Sequence, residues 1–221
     1  MWLLRGSLRR SASGFLLVAV VTASTLAVRS HEVPLNTVAA SAAKISAGQV
    51  WLLPTSGLVV DRPVYVGLVA FGLLGFTALG ICGTRVFWVS AAVGHIGSTL
   101  TVYAIIGAAR QSDPDAFAGA FARQDFGVSA MQGAWVGAVA ATAWCRDGAD
   151  TRARMFVAAG VCGLAGVAWW LHPDPSILTT EHLFAFLIGG LVVSWSRLGA
   201  SVRSAVDKLT PSPPRDATTT G

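Results

Sequence analysis

The sequence predicts an all-α membrane protein, a bundle of six transmembrane helices with both termini cytoplasmic. Of its 221 residues, 53% are hydrophobic and only 12% are charged, which is typical of a chain whose solvent is mostly lipid. The mean hydropathy is +0.61. Six apolar stretches approach the roughly 20 residues that a helix needs to cross a hydrocarbon core about 30 Å thick.

The predicted elements follow in order along the chain. Residues 1–10 form a short cytoplasmic N-terminus, and a mixed outer segment, residues 29–62, separates the first two spans. The six spans are residues 11–28, 63–82, 86–108, 127–145, 155–171 and 182–195. The membrane domain therefore covers residues 11–197. Residues 198–221, whose end is rich in Pro, Ser and Thr, are expected to form a largely disordered cytoplasmic tail.

The distribution of Lys and Arg predicts the orientation, because cationic loops resist translocation. With the N-terminus inside, most of the 16 cationic residues lie on the cytoplasmic side, and the outer side holds only Arg29, Lys44, Arg62, Arg110 and Arg123. This bias accounts for the net charge of +5 without a nucleic-acid partner. Alternatively, residues 1–30 are a cleaved signal peptide, which would leave five spans.

Two residues able to do chemistry lie near the outer ends of the fourth and sixth spans. Ser129 follows Gly127-Val128, and His182 follows Glu181. Alone, such a serine usually bonds its own helix backbone, and a histidine at a span end often faces water. Because both spans run from outside to inside, the two residues are expected at similar depth. A nucleophile and a base on different spans are what peptide-bond hydrolysis in a bilayer requires.

Small residues on the same two spans predict a close helix contact. Gly133 and Gly137 share one face of the fourth span, while Ala185 and Gly189 lie on the sixth. The same pattern is also typical of a tight helix contact that performs no chemistry.

The chain resembles the rhomboid family of intramembrane serine proteases. That family carries Gly-x-Ser-Gly at the start of its fourth core span and a histidine at the start of its sixth, with small residues three and seven positions later. Gly127 and Ser129 match the first motif, and His182, Ala185 and Gly189 match the second. In the outer segment, the run Trp-Leu-Leu-Pro-Thr is similar to the family's Trp-Arg-x-x-Thr element. The resemblance implies a divergent bacterial rhomboid-like protein with a Ser-His dyad.

The chain departs from the family's pattern around the oxyanion site. The family's second-span histidine and asparagine would fall near Pro63 and Gly67, and both groups are missing. The expected replacement donor is Gln132, with support from Gly127 and from His95 in the third span. A satisfied structural histidine is the simpler interpretation of His95. Removing one oxyanion donor elsewhere costs about 10²- to 10³-fold in turnover, so catalysis would be weakened.

We therefore expect a serine endopeptidase that cleaves single-span membrane proteins in the plasma membrane. The alternative is a catalytically inactive protein of the same fold that binds membrane helices, and a small transporter ranks third. No cofactor or metal is expected, because the four histidines are scattered without ligand spacing. The expected partners are substrate helices and the lipid bilayer, and the oligomeric state stays open.

Overall fold

The structure, a computed structural model, describes residues 2–145, 150–151 and 177–209. These residues form α1 (Trp2–Arg29), α2 (Ala42–Ser46), α3 (Leu52–Ser56), α4 (Val64–Cys82), α5 (Thr84–Ser112), α6 (Pro114–Ala122), α7 (Ser129–Trp144) and α8 (Ile177–Leu209). Within this part of the chain, strand-like pairing is limited to one isolated bridge between Ala40 and Asp125. The predicted fifth span, residues 155–171, and the end of the predicted tail, residues 210–221, lie outside the described residues. The described chain is otherwise all-helical, as its composition predicts.

Among the described residues, four helices are long and apolar enough to cross a membrane. They are Ala12–Arg29 within α1, Val64–Cys82, Thr84–Ser112 and Thr180–Val202 within α8. In contrast, α7 has 16 residues, about 24 Å at 1.5 Å per residue, and is shorter than a typical hydrocarbon core. The outer faces of the long helices carry exposed apolar side chains such as Leu73 and Leu191, each 67% exposed. Such faces suit contact with lipid.

The outer segment between α1 and α4 is folded back onto the end of α1. The Arg29 guanidinium donates to the Val60 carbonyl at 3.1 Å. One turn earlier in α1, the Thr25 hydroxyl accepts the Val60 N–H at 3.0 Å. In the middle of the segment, Ser41 caps α2 by accepting the Lys44 N–H at 3.2 Å. The end of the segment that leads into α4 is therefore anchored to α1.

Gly83 makes the turn between α4 and α5. Its φ of +82° favours glycine, because a Cβ would crowd the backbone there. Its N–H donates to Leu79 at 3.1 Å, and its carbonyl accepts the Phe87 N–H at 3.0 Å. One residue thus ends α4 and starts α5, and the two helices run antiparallel.

The largest buried cluster packs α7 against α4 and α5. The Trp135 ring stacks on the Phe87 ring with 4.8 Å between the ring centroids. The Phe71 ring also contacts Trp135, in a tilted arrangement with 5.0 Å between the centroids. The indole N–H of Trp135 donates to the Phe87 carbonyl at 3.1 Å, so the buried polar group has an acceptor. Since α7 also packs against α8, it lies at the centre of the bundle.

Several helices extend beyond the apolar runs that predicted them. The first helix begins at Trp2, within the predicted N-terminal segment, and α8 continues to Leu209. Residues 198–209 of the predicted tail are therefore helical. Apolar runs mark only the part of a helix that suits lipid, whereas the helix itself continues until the backbone is interrupted. At the end of α5 that interruption is Pro114, which disfavours helical geometry in the residue before it.

Candidate active site

Backbone hydrogen bonds tie the segment before α7 to the outer segment. Asp125 exchanges two bonds with Ala40: the Ala40 N–H donates at 2.9 Å, and the Asp125 N–H donates back at 2.8 Å. Two residues later, the Gly127 N–H donates to the Ser56 carbonyl at 2.9 Å. Gly127 has a φ of +140°, which side-chain-bearing residues rarely adopt. The chain therefore turns sharply at Gly127 and enters α7 at Ser129.

The helices α7 and α8 run parallel, with close backbone contact. A Cβ on Gly133 would lie 3.2 Å from the His182 carbonyl oxygen. One turn further along both helices, a Cβ on Gly137 would collide with the Phe186 backbone. Positions that come later in α7 thus contact positions that come later in α8, as parallel helices require. On this register His182 is level with Gly133, about one turn or roughly 6 Å beyond Ser129.

Small residues of both helices make this approach possible. A Cβ on Gly189 would collide with the backbone of Ala134. Ala130, Ala134 and Ala185 form a small buried cluster of their own between the helices. The four residues predicted from sequence to pack here, including Ala185 and Gly189, therefore lie along the contact between α7 and α8.

Ser129 and His182 both occupy the first part of their helices, at the same end of the parallel pair. Helical side chains lean toward the N-terminus of their helix, so the imidazole of His182 leans back toward the level of Ser129. Both residues are half-buried, and the Nε2 atom of His182 is shielded from solvent. The fold thus brings together the two elements that carry the predicted nucleophile and base.

The first turn of α7 offers backbone donors next to Ser129. No side chain caps this helix, and its first i to i−4 bond runs from the Gln132 N–H to the Val128 carbonyl at 3.0 Å. The N–H groups of residues 129–131 precede that bond, at the partially positive end of the helix. The Gly127 N–H instead bonds Ser56, so Gly127 contributes the turn and not a donor. Gln132 is half-buried and lies three residues after Ser129, on the same side of α7.

His95 fastens α3 to α5. Its Nε2 lies 2.9 Å from the Leu53 carbonyl oxygen and 3.3 Å from the Ser56 hydroxyl. Because a carbonyl oxygen can only accept, Nε2 carries the proton and donates to Leu53. The Ser56 hydroxyl also donates to Leu53, at 3.1 Å. This second serine and histidine pair therefore lacks the arrangement of a nucleophile and its base.

The contact of His95 with α3 has a consequence for Ser129. Gly57 lies against the imidazole, and a Cβ there would be 2.7 Å from Nε2. Since the Ser56 carbonyl holds the Gly127 N–H, His95 supports the turn before Ser129 through α3. These contacts connect His95 to the turn before Ser129 through α3.

Two acids close to the candidate dyad, Glu181, which is buried, and Asp125, which is half-buried, were missed by the sequence analysis. The Thr99 hydroxyl donates to the Glu181 carboxyl at 2.6 Å, and the Tyr103 hydroxyl donates to the Asp125 carboxyl at 3.3 Å. The available signal was an acid directly before His182 and a pair of hydroxyls four residues apart on an apolar helix. Within the described residues, no three His, Cys, Asp or Glu side chains gather as a metal site would require.

Comparison of the chain with protein-family models, with curated proteins and with solved structures gives no match.

Proposed function

We propose that this chain is a rhomboid-like intramembrane serine endopeptidase that cleaves single-span membrane proteins in the plasma membrane. In this proposal the bundle has six spans with both termini in the cytoplasm. Ser129 is the nucleophile and His182 is the general base. The observation that carries the proposal is the parallel register of α7 and α8, in which Gly133 packs on the His182 backbone one turn beyond Ser129.

The proposed chemistry is acyl transfer. His182 takes the hydroxyl proton of Ser129 while the serine oxygen attacks the substrate carbonyl carbon. The N–H groups at the start of α7 stabilise the oxyanion that forms, and Gln132 is the nearest candidate for a side-chain donor. His182 then gives the proton to the leaving amine, and water hydrolyses the acyl-enzyme with His182 again as base.

The depth of Ser129 supports cleavage within the membrane. Gly94 of α5 packs directly on Ala134 of α7, and α5 runs antiparallel to α7. Counting from that contact, Ser129 is level with the region of Thr99. This level is about nine residues, or roughly 14 Å, below the end of the apolar part of α5. The short α7 and the polar side chains near its start favour entry of water to this depth.

A serine-directed fluorophosphonate probe and a set of tagged single-span substrates test the proposal. We expect labelling and cleavage by the wild type, no labelling of Ser129→Ala, and a loss of about 10³-fold or more for His182→Ala. Ser194→Ala is the matched control, because Ser194 is exposed on α8 and bonds only its own helix at 3.1 Å. Ser56→Ala tests a second serine, whose hydroxyl lies 3.3 Å from His95 Nε2. Equal labelling of Ser129→Ala and wild type would refute the dyad.

One observation favours the second candidate function, an inactive protein that binds membrane helices. Gly67 corresponds to the second-span asparagine of the rhomboid pattern, and a Cβ on Gly67 would collide with the Val60 side chain. The outer segment therefore occupies the space that an amide donor would need. Capture of single-span helices by photocrosslinking, without any Ser129-dependent labelling, would support this second function.

A further inference from the structure

Asp125, which is half-buried, and Glu181, which is buried, form an acid pair on one face of α5. Thr99 and Tyr103, which hold the two carboxyl groups, are four residues apart and lie on adjacent turns of the same face. Because these hydroxyls lie on adjacent turns, they hold the Glu181 and Asp125 carboxyl groups near each other, within electrostatic interaction distance. Glu181 is only 3% exposed.

The groups around the acid pair are neutral hydroxyls and one imidazole. From α5, the hydroxyls of Thr99 and Tyr103 contact the pair, and His95 lies one turn before Thr99 on the same helix. From the outer segment, the Ala40 backbone pairs with the backbone of Asp125. Among the described residues, no Lys or Arg forms an ion pair with either carboxyl, since the ion pair found there joins Arg29 and Asp61. Within the part of the chain that the structure describes, no ion-paired cation therefore offsets two negative charges at this place.

The pair joins the two elements that carry the candidate dyad. Asp125 lies four residues before Ser129, and Glu181 directly precedes His182. Two ionised carboxylates held close together repel each other, the more so because Glu181 is shielded from water, whereas a carboxyl and a carboxylate form a strong hydrogen bond. The contact is thus attractive only while one proton remains.

We propose that Asp125 and Glu181 share one proton and that this acid pair holds the segment before Ser129 against the first turn of α8. The two acids are then positioning residues for Ser129 and His182, and loss of the shared proton separates the two elements. The part that concerns the dyad rests on the proposed function, but the proton-dependent contact does not.

The first test needs no enzymatic activity. Thermal unfolding of the full chain in detergent is followed between about pH 6 and 9 for wild type, Asp125→Asn and Asp115→Asn. If the folded chain keeps a proton that the unfolded chain has released, wild-type stability falls as pH rises. An asparagine donates through its own N–H, so Asp125→Asn should lose distinctly less stability over this range. Asp115, which is exposed on α6, is the matched control and should follow the wild type.

The second test measures the rate of fluorophosphonate labelling of Ser129 over the same pH range. Once the shared proton is lost, the wild-type rate should fall by up to about tenfold per pH unit. Asp125→Asn should keep the neutral rate and lack this alkaline fall, and Glu181→Gln should behave in the same way. Asp125→Ala, which has no donor, should lose about tenfold or more at every pH through misplacement of Ser129.

The outcomes separate the two proposals. Parallel pH profiles for wild type and Asp125→Asn in the unfolding test would overturn the shared proton. If the unfolding profiles of wild type and Asp125→Asn differ but their labelling profiles are identical, the positioning role is overturned. If the wild type shows no Ser129-dependent labelling, the proposed protease function fails, and the unfolding profiles alone decide the acid pair.

Discussion

Substitution of Gly137 by alanine should separate α7 from α8. The added Cβ meets the backbone of Phe186, which cannot move away as a flexible side chain could. The helices must part by roughly 1.5 Å to restore ordinary van der Waals contact. Overpacking of this kind typically costs about 1–3 kcal/mol, against a gain of up to about 1 kcal/mol from the better helix propensity of alanine.

Equilibrium unfolding in mixed detergent micelles measures this cost. Gly80→Ala is the matched control, because Gly80 is in α4 and a Cβ there meets no atom within 4 Å. We expect Gly80→Ala to be as stable as the wild type or slightly more stable, and Gly137→Ala to be less stable by about 1–2 kcal/mol. Ser129 labelling should fall about 10²-fold in Gly137→Ala, since a 1 Å displacement can cost that much. Equal stability of the two variants would refute the packing argument.

Three further predictions follow from contacts described above. Gly67→Asn should lower the melting temperature and should not raise the labelling rate, because the new side chain meets Val60. A faster labelling rate would contradict this prediction. His95→Ala should destabilise the chain by about 1–3 kcal/mol and reduce labelling only partially, because the lost bond is to Leu53; complete loss of labelling in a folded variant would instead assign His95 to the chemistry. Gly83→Ala should cost about 1–2 kcal/mol in equilibrium unfolding from its positive φ, and an unchanged free energy of unfolding would refute the strain.

Sequence periodicity and length predicted the long helices well, because each is specified locally. The boundary at Gly83 is an example: an apolar run ends, a glycine follows, and a new run begins. The outer segment was less predictable, since α2 and α3 are five-residue helices held by contacts distant in sequence. The start of α7 at Ser129, rather than at residue 127, likewise depends on a bond from Gly127 to a carbonyl 71 positions earlier.

The candidate site was predictable only in part. Ser129 and His182 were singled out by their similar depth and by motif resemblance, and the small residues near them predicted how their helices would meet. Asp125 and Glu181 were missed because charged residues at span ends normally face water, and only the tertiary fold brings them onto one face of α5. For His95, no spacing rule links its ring to Leu53, which lies 42 residues away along the chain.

The backbone bonds from Ala40 and Ser56 to the turn before Ser129 limit how far this protein can be shortened. A truncated variant beginning at α4 would keep the central helices and both dyad residues. It would nevertheless lose the two bonds at Ala40 and the one at Ser56, all of which orient that turn. A shortened chain that keeps this turn oriented must therefore retain residues 40–56, although none of them performs the proposed chemistry.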